Sequence, residues 1–114
     1  MEELKVYQKH YDLILYAFPI INGFPKAQRF VLGQQIQNCL LDIARLIVQA
    51  NKQRSKLSTL TQVDIELEKL RLLIRLAKDL HLLAVRQYGS IAERTDEIGR
   101  LLGGWLKSQT VGSR

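Results

Sequence analysis

Apolar positions recur at three- and four-residue spacing along most of the chain, which predicts helices and no sheet. The first predicted helix covers residues 3–18, with Leu4, Tyr7, Tyr11, Ile14, Leu15 and Phe18 at helical spacing. Pro19 is expected to end or kink it. Asn22-Gly23-Phe24-Pro25 reads as a turn, with Pro25 suited to open a second helix over 26–50. That helix carries Phe30, Ile36, Leu40, Ile43, Ala44 and Ile47. The polar, basic stretch 51–56 reads as a loop. A third helix is predicted from Thr59 or Thr61, where Thr59 with Gln62 and Thr61 with Asp64 have capping-box spacing, and it continues to about Arg86 without a Gly or Pro. Tyr88-Gly89 is read as its stop. Ser90 and Glu93 then form a Ser-x-x-Glu box for a fourth helix over 90–108. Long helices joined by short connections predict an all-α, antiparallel up-down four-helix bundle: one domain over 1–109, with a loose tail over 110–114.

The faces of the third and fourth helices carry more than the fold. On the third, Arg71, Arg75, Lys78 and Arg86 fall on one stripe at about 100° per residue. The rest of that helix is apolar over about 200°, against roughly 100–140° for a helix that faces only its own bundle. A second packing surface explains the excess, and Leu73, Leu76 and Leu80 are its candidates. On the fourth helix, Ile91, Ile98, Leu101, Leu102, Trp105 and Leu106 share a narrow inward arc. Gly99 and Gly103 lie on its edge, followed by Gly104. Each mid-helix glycine costs roughly 0.5–1 kcal/mol against alanine, so Gly99 and Gly103 are expected to allow close approach of another backbone. Arg100 and Lys107 lie on the opposite, polar face.

Composition narrows the chemistry. The 114 residues carry a formal charge of +6 with 46% apolar residues, which fits one basic globular domain. Such a surplus attracts phosphates or acidic protein surfaces. Few aromatics are present for base stacking, so contacts to nucleic acid are expected mainly at phosphates. Cys39 is the single cysteine, so no internal disulfide forms, and no zinc-ligand spacing occurs. The start of the chain does not resemble a signal peptide and no apolar run is long enough to span a membrane, so the expected location is the cytoplasm. No cofactor or metal is implied. His10 is expected at the surface of the first helix. His81 with Arg75 matches the loose Arg-x(4–6)-His pattern of the HEPN ribonucleases, an alternative in which His81 would act as general base. No phosphate-binding loop or nucleophile elbow is present, and the chain is read as a non-enzyme.

Phe24-Pro25-Lys26, Gln28-Arg29, Leu32 and Gln35-Ile36 resemble the second-helix signature of the small four-helix-bundle proteins encoded in intervening sequences of 23S ribosomal RNA genes. In those proteins the segment ends in a stretch like Ser-Ile-x-x-Asn-Ile-Ala-Glu-Gly, where this chain has Asp42 to Ala50 with a different sequence. The second half is more similar to a related branch. Leu70-Arg71-Leu72-Leu73-Ile74-Arg75 and Glu97-Ile98-Gly99-Arg100-Leu101-Leu102-Gly103-Gly104-Trp105-Leu106 resemble the accessory variability determinant of diversity-generating retroelements. The resemblance implies a basic, non-enzymatic bundle assembled as a ring-shaped homopentamer. It also implies binding to a reverse transcriptase and to RNA or DNA during mutagenic reverse transcription. Arg71, Arg75 and Arg100 match the motif of that branch; Lys78, Arg86 and Lys107 are added from helical geometry alone. Five copies would carry roughly +30, a strong and salt-sensitive field for phosphate. A structural or RNA-binding protein of the ribosomal intervening-sequence type is the alternative within the wider family.

Overall fold

Helix α1 spans Glu2–Asn22 in the structure, a computed structural model that describes the backbone of residues 2–112 and the side chains of residues 3–110. It continues through Pro19 for another turn, because a proline there removes one helical hydrogen bond close to the C-terminus. Asn22–Pro25 then turns the chain, with Gly23 and Phe24 donating to the carbonyls of Ile20 and Ile21. The second rod is built from α2 (Lys26–Gln28), a π-helical turn (Arg29–Gly33) and α3 (Gln34–Lys52), with helical dihedrals at both junctions. The π turn takes up an extra residue and shifts everything before it by about 100° around the axis. Phe30, read from the sequence as inward, is therefore 65% exposed, whereas Leu32 is buried.

Helix α4 spans Leu57–Asp79 and α5 spans Val85–Gly112. Neither expected capping box at the start of α4 forms. Thr59 is buried inside the helix and donates to Gln53 Oε1 at 2.6 Å, and Thr61 bonds back to the Leu57 carbonyl at 2.8 Å. Lys56 instead reaches back to the end of α3, its Nζ donating to the carbonyls of Ala50 and Gln53. The larger departure lies between α4 and α5. The chain turns at residues 80–84, not at Tyr88-Gly89, and Ser90 and Glu93 lie inside α5. The His81 N–H bonds the Lys78 carbonyl at 2.9 Å and the Leu82 N–H bonds the Ala77 carbonyl at 2.8 Å. These are the two bonds of a Schellman cap, which needs a left-handed residue where His81 stands with φ 63°. A histidine in the place usually held by glycine gives no sequence signal of a stop. Gln87 completes the turn, its Oε1 accepting from the Ala84 N–H at 3.0 Å, the backward half of a capping box.

Among the described residues the only regular structure is helical, four rods joined by short turns, with no strand. α1 packs on α3 and α5, and α4 packs on the same two, so the rods close around one core in an elongated molecule of 50 × 22 × 19 Å. α3 supplies Ile36, Leu40, Ile43 and Ile47 to the core, α4 supplies Leu60, Val63, Leu67, Leu70 and Ile74, and α5 supplies Ile91, Ile98, Leu102 and Trp105. The α1 face differs from the sequence reading. Val6, His10, Leu13, Ala17 and Ile21 point inward, while Leu4, Tyr7, Tyr11 and Leu15 are 47–62% exposed. His10 is 1% exposed, not at the surface, with Nε2 2.8 Å from the Leu40 carbonyl. The carbonyl can only accept, so Nε2 carries the proton and Nδ1 is a bare acceptor with no partner among the described residues. Burial holds the imidazole below its ordinary 6.5, against a smaller opposing pull from Leu40. Burial and the Glu66 carboxylate push the Cys39 thiol up to about 12, and its Sγ lies 3.4 Å from the Glu66 carbonyl. α5 carries its helix on through Thr110 to Gly112, so the tail expected from residue 110 is helical there; Ser113 and Arg114 lie outside the described residues.

Candidate functional site

The six cations singled out from the sequence fall into two sets on two helices. Arg71, Arg75 and Lys78 belong to α4, as expected. Arg86 does not: the turn at 80–84 places it in the first turn of α5, and the stripe that continued through it on a single helix does not exist. The error follows from the hidden stop at His81. In α5, Arg86, Glu93, Arg100 and Lys107 recur every seven residues, and all four are exposed. A seven-residue repeat drifts only about 20° per step on a straight helix, so they form one outward line.

The two sets differ in what holds them. On α4, Arg71 bonds Glu68 through Nη1 and Asp96 on α5 through Nε at 3.2 Å. Its side chain is only 31% exposed. Gly99 makes room for it, since a Cβ there would lie 2.7 Å from Arg71 Nη2. Gly99 thus permits a close approach, but of a guanidinium rather than a backbone. Arg75 pairs with Asp79 at 3.8 Å, and Lys78 pairs with the same carboxylate at 3.6 Å while lying over the Tyr88 ring at 4.6 Å. Arg71 and Arg75 therefore line a mixed-charge trough with Glu68, Lys69 and Asp79, and Lys78 lies over Tyr88 at its end. On α5, Arg100 has a loose pairing with Glu97 at 3.6 Å and is 71% exposed. Arg86 and Lys107 make no ion pair among the described residues. Exposed Gly103 and Gly104 lie between Arg100 and Lys107. Beyond its own stretch of helix, no atom among the described residues comes within 4 Å of a Cβ placed on Gly103, so the close approach of another backbone expected there is not made among them.

The packing candidates are spread over three environments. Trp105 is 1% exposed and anchors α5 in the core, and Leu73 packs on the core from a half-buried position. Leu76 and Leu80 are 42% and 50% exposed, Leu80 at the end of α4. With Ile65 and Leu72 at 61% and 64%, they show that the apolar arc of α4 is wider than the bundle uses. A second apolar surface was not anticipated. Tyr7, Tyr11 and Ile14 of α1 with Ala44, Ile47 and Val48 of α3 line a groove whose cavity is about 130 Å³, and His10 forms part of its lining. The signal lies in the sequence, where the spacing of Tyr7, Tyr11, Ile14, Ala44 and Ile47 reads as core.

Catalytic chemistry has little to work with. His81 is exposed on the turn, where its backbone conformation serves the cap, and Arg75 is paired with Asp79 a helical turn away. No group of three metal-ligating side chains exists among the described residues. No helix among them is long and apolar enough to cross a membrane.

Four rods around one core, an outward line of three cations with Glu93 among them and two exposed apolar surfaces define a helical-bundle protein. A family model described as bAvd-like matches residues 4–109, nearly the whole chain, and the protein belongs to that family. No curated protein matches it.

Proposed function

We propose that this protein is a non-enzymatic accessory subunit of a diversity-generating retroelement. In this reading it binds the element's reverse transcriptase and template RNA or DNA, works in the cytoplasm, and assembles with copies of itself as a ring, five in number as the family resemblance implies. The match to the bAvd-like family over residues 4–109 carries the reading. The formal charge of +6 supports a phosphate partner. An antiparallel up-down arrangement is supported by contacts in which residue numbers run in opposite directions: Lys9 with Glu97 and Tyr16 with Arg94, or Cys39 with Glu66 and Gln49 with Thr59.

Within this reading, the α5 line of Arg86, Arg100 and Lys107 is the surface that meets phosphate. Arg71 and Lys78 are about one-third exposed and held against Glu68, Asp96 and Asp79, so a phosphate would have to displace those carboxylates first, whereas Arg75, 3.8 Å from Asp79 and 74% exposed, is as open as Arg100. Arg71, Arg75 and Lys78 shape the trough beside that line. The deciding experiment is co-purification with a reverse transcriptase encoded beside this gene. Stable co-elution, weakened by Arg100→Glu with Lys107→Glu while helicity is unchanged, is the expected result. Absence of any complex with the neighbouring enzyme, with or without its RNA, would overturn the proposal.

A further inference from the structure

The bundle exposes two apolar surfaces of different shape on different helices. One is concave, between α1 and α3, where Tyr7, Tyr11 and Val48 line the groove, and Leu4 and Leu15 of α1 and Leu41 of α3 are exposed on the same two helices. These six side chains are 46–62% exposed. Taking about 150–220 Å² for each fully open side chain, they present roughly 600 Å² of largely apolar surface, at the upper end of what a monomer leaves in water. The other surface is a ridge along α4. Ile65, Leu72 and Leu76 stand out from it, and Leu80 extends it beyond the helix end. It presents roughly 400 Å² on the same basis, flanked by the charges of Glu68, Lys69, Arg75 and Asp79.

α1 and α4 stand diagonally across the core, as α3 and α5 do, so the outer faces of α1 and α4 lie apart around the bundle. A two-fold dimer uses the same patch on both subunits and would leave one of them open to water. A contact that seats the ridge of one copy in the groove of another covers both with a single interface. Because the patches differ, such a contact leaves a free groove at one end and a free ridge at the other, and it closes only as a ring. With a polar rim added, each side approaches the roughly 800 Å² per partner of a stable interface. The groove also holds a buried acceptor, Nδ1 of His10, which no donor among the described residues satisfies.

We infer that the α1–α3 groove is the docking site for the α4 ridge of a second copy of this chain, so that the copies join head to tail. This rests on the self-assembly part of the proposed function and names the surfaces that would carry it.

Mass measurement by light scattering on the full chain tests it, using one double variant for each surface. Tyr11→Glu with Val48→Glu charges the groove, and Leu72→Glu with Leu76→Glu charges the ridge. All four side chains are exposed in the monomer, so helicity and the melting transition should persist. Wild type is expected as a closed oligomer and each double variant as a 13.1 kDa monomer. Mixing the two variants should restore one contact, between the intact ridge of one and the intact groove of the other, and give a 1:1 species of twice that mass. An oligomeric wild type whose groove or ridge variant keeps the same mass would overturn the inference and leave self-assembly standing. Monomeric variants that fail to combine would do the same, since a two-fold contact predicts that result. A monomeric wild type would remove the inference and the self-assembly reading together. Should a double variant lose helicity, the single changes Tyr11→Glu and Leu72→Glu repeat the test.

Discussion

Helices α4 and α5 both carry a row of cations, and the two rows differ in how firmly their members are held. Arg71, Arg75 and Lys78 on α4 each have a carboxylate partner, and Lys78 also has an aromatic ring. Arg86 and Lys107 on α5 have no ion-pair partner among the described residues, and Arg100 has one at 3.6 Å. Equal formal charge therefore does not mean equal availability. A cation already paired must exchange one anion for another, so its net contribution to phosphate binding is small. An unpaired, exposed cation releases counterions when it meets phosphate, and that term dominates non-specific nucleic-acid affinity. The glycines separate the helices in the same way: Gly99 serves the α4 pairing by admitting Arg71, whereas Gly103 and Gly104 face outward between α5 cations.

The largest expected effect sets the two rows against each other. Arg86→Gln, Arg100→Gln and Lys107→Gln together should weaken binding to an RNA oligomer roughly ten- to a hundredfold and flatten the log–log salt slope by about two to three. Arg71→Gln with Lys78→Gln, the two α4 cations that are about one-third exposed, should leave that slope nearly unchanged. Salt titrations by fluorescence anisotropy compare them directly, and a larger loss from the α4 pair would reverse the assignment.

A smaller effect is expected at the end of α4. His81→Gly removes the left-handed strain of a side-chain residue at the Schellman position, partly offset by the greater freedom of glycine in the unfolded chain, for a gain of about 0.5–1 kcal/mol. Denaturant unfolding measures it. A loss of stability would mean that the His81 side chain contributes more than its backbone conformation.

The glycine contrast is smaller still. Gly103→Ala should stabilise the bundle by about 0.5–1 kcal/mol, because alanine is the better helix former and the added methyl meets nothing among the described residues outside its own stretch of helix. Gly99→Ala should gain less, since its methyl displaces Arg71 from the pairing with Asp96. Equal gains at the two positions would show that the Arg71 seat has no energetic weight.

A pH series defines where these comparisons are clean. The His10 imidazole is held below its ordinary 6.5 in the fold, so the unfolded chain takes up its proton first as pH falls. Its contribution is fully present above about 6.5 and is lost progressively below that value. Melting temperature should therefore fall between pH 7 and pH 5, and less so in His10→Leu. Parallel slopes for the two proteins would mean that His10 titrates normally.

Periodicity, turn residues and charge balance determined a great deal without coordinates. The number of rods, the turn at Asn22–Pro25, the polar loop after α3 and the inward line of Ile91, Ile98, Leu102 and Trp105 all follow from spacing, because a helix that buries one face must repeat its apolar residues there. What spacing could not decide was phase and partnership. On α1 two apolar faces compete, and packing around the small Ala17 and the buried His10 selected the one with fewer large residues. The π turn shifted Phe30 outward, a histidine took the glycine position of a cap and hid the end of α4, and Arg86 moved with that boundary to another helix. The pairing of Arg71 with Asp96 spans 25 residues. Local sequence reports a residue's charge and its face, but whether that charge is free depends on which carboxylate the fold brings beside it, and only the packing of α4 on α5 settled that.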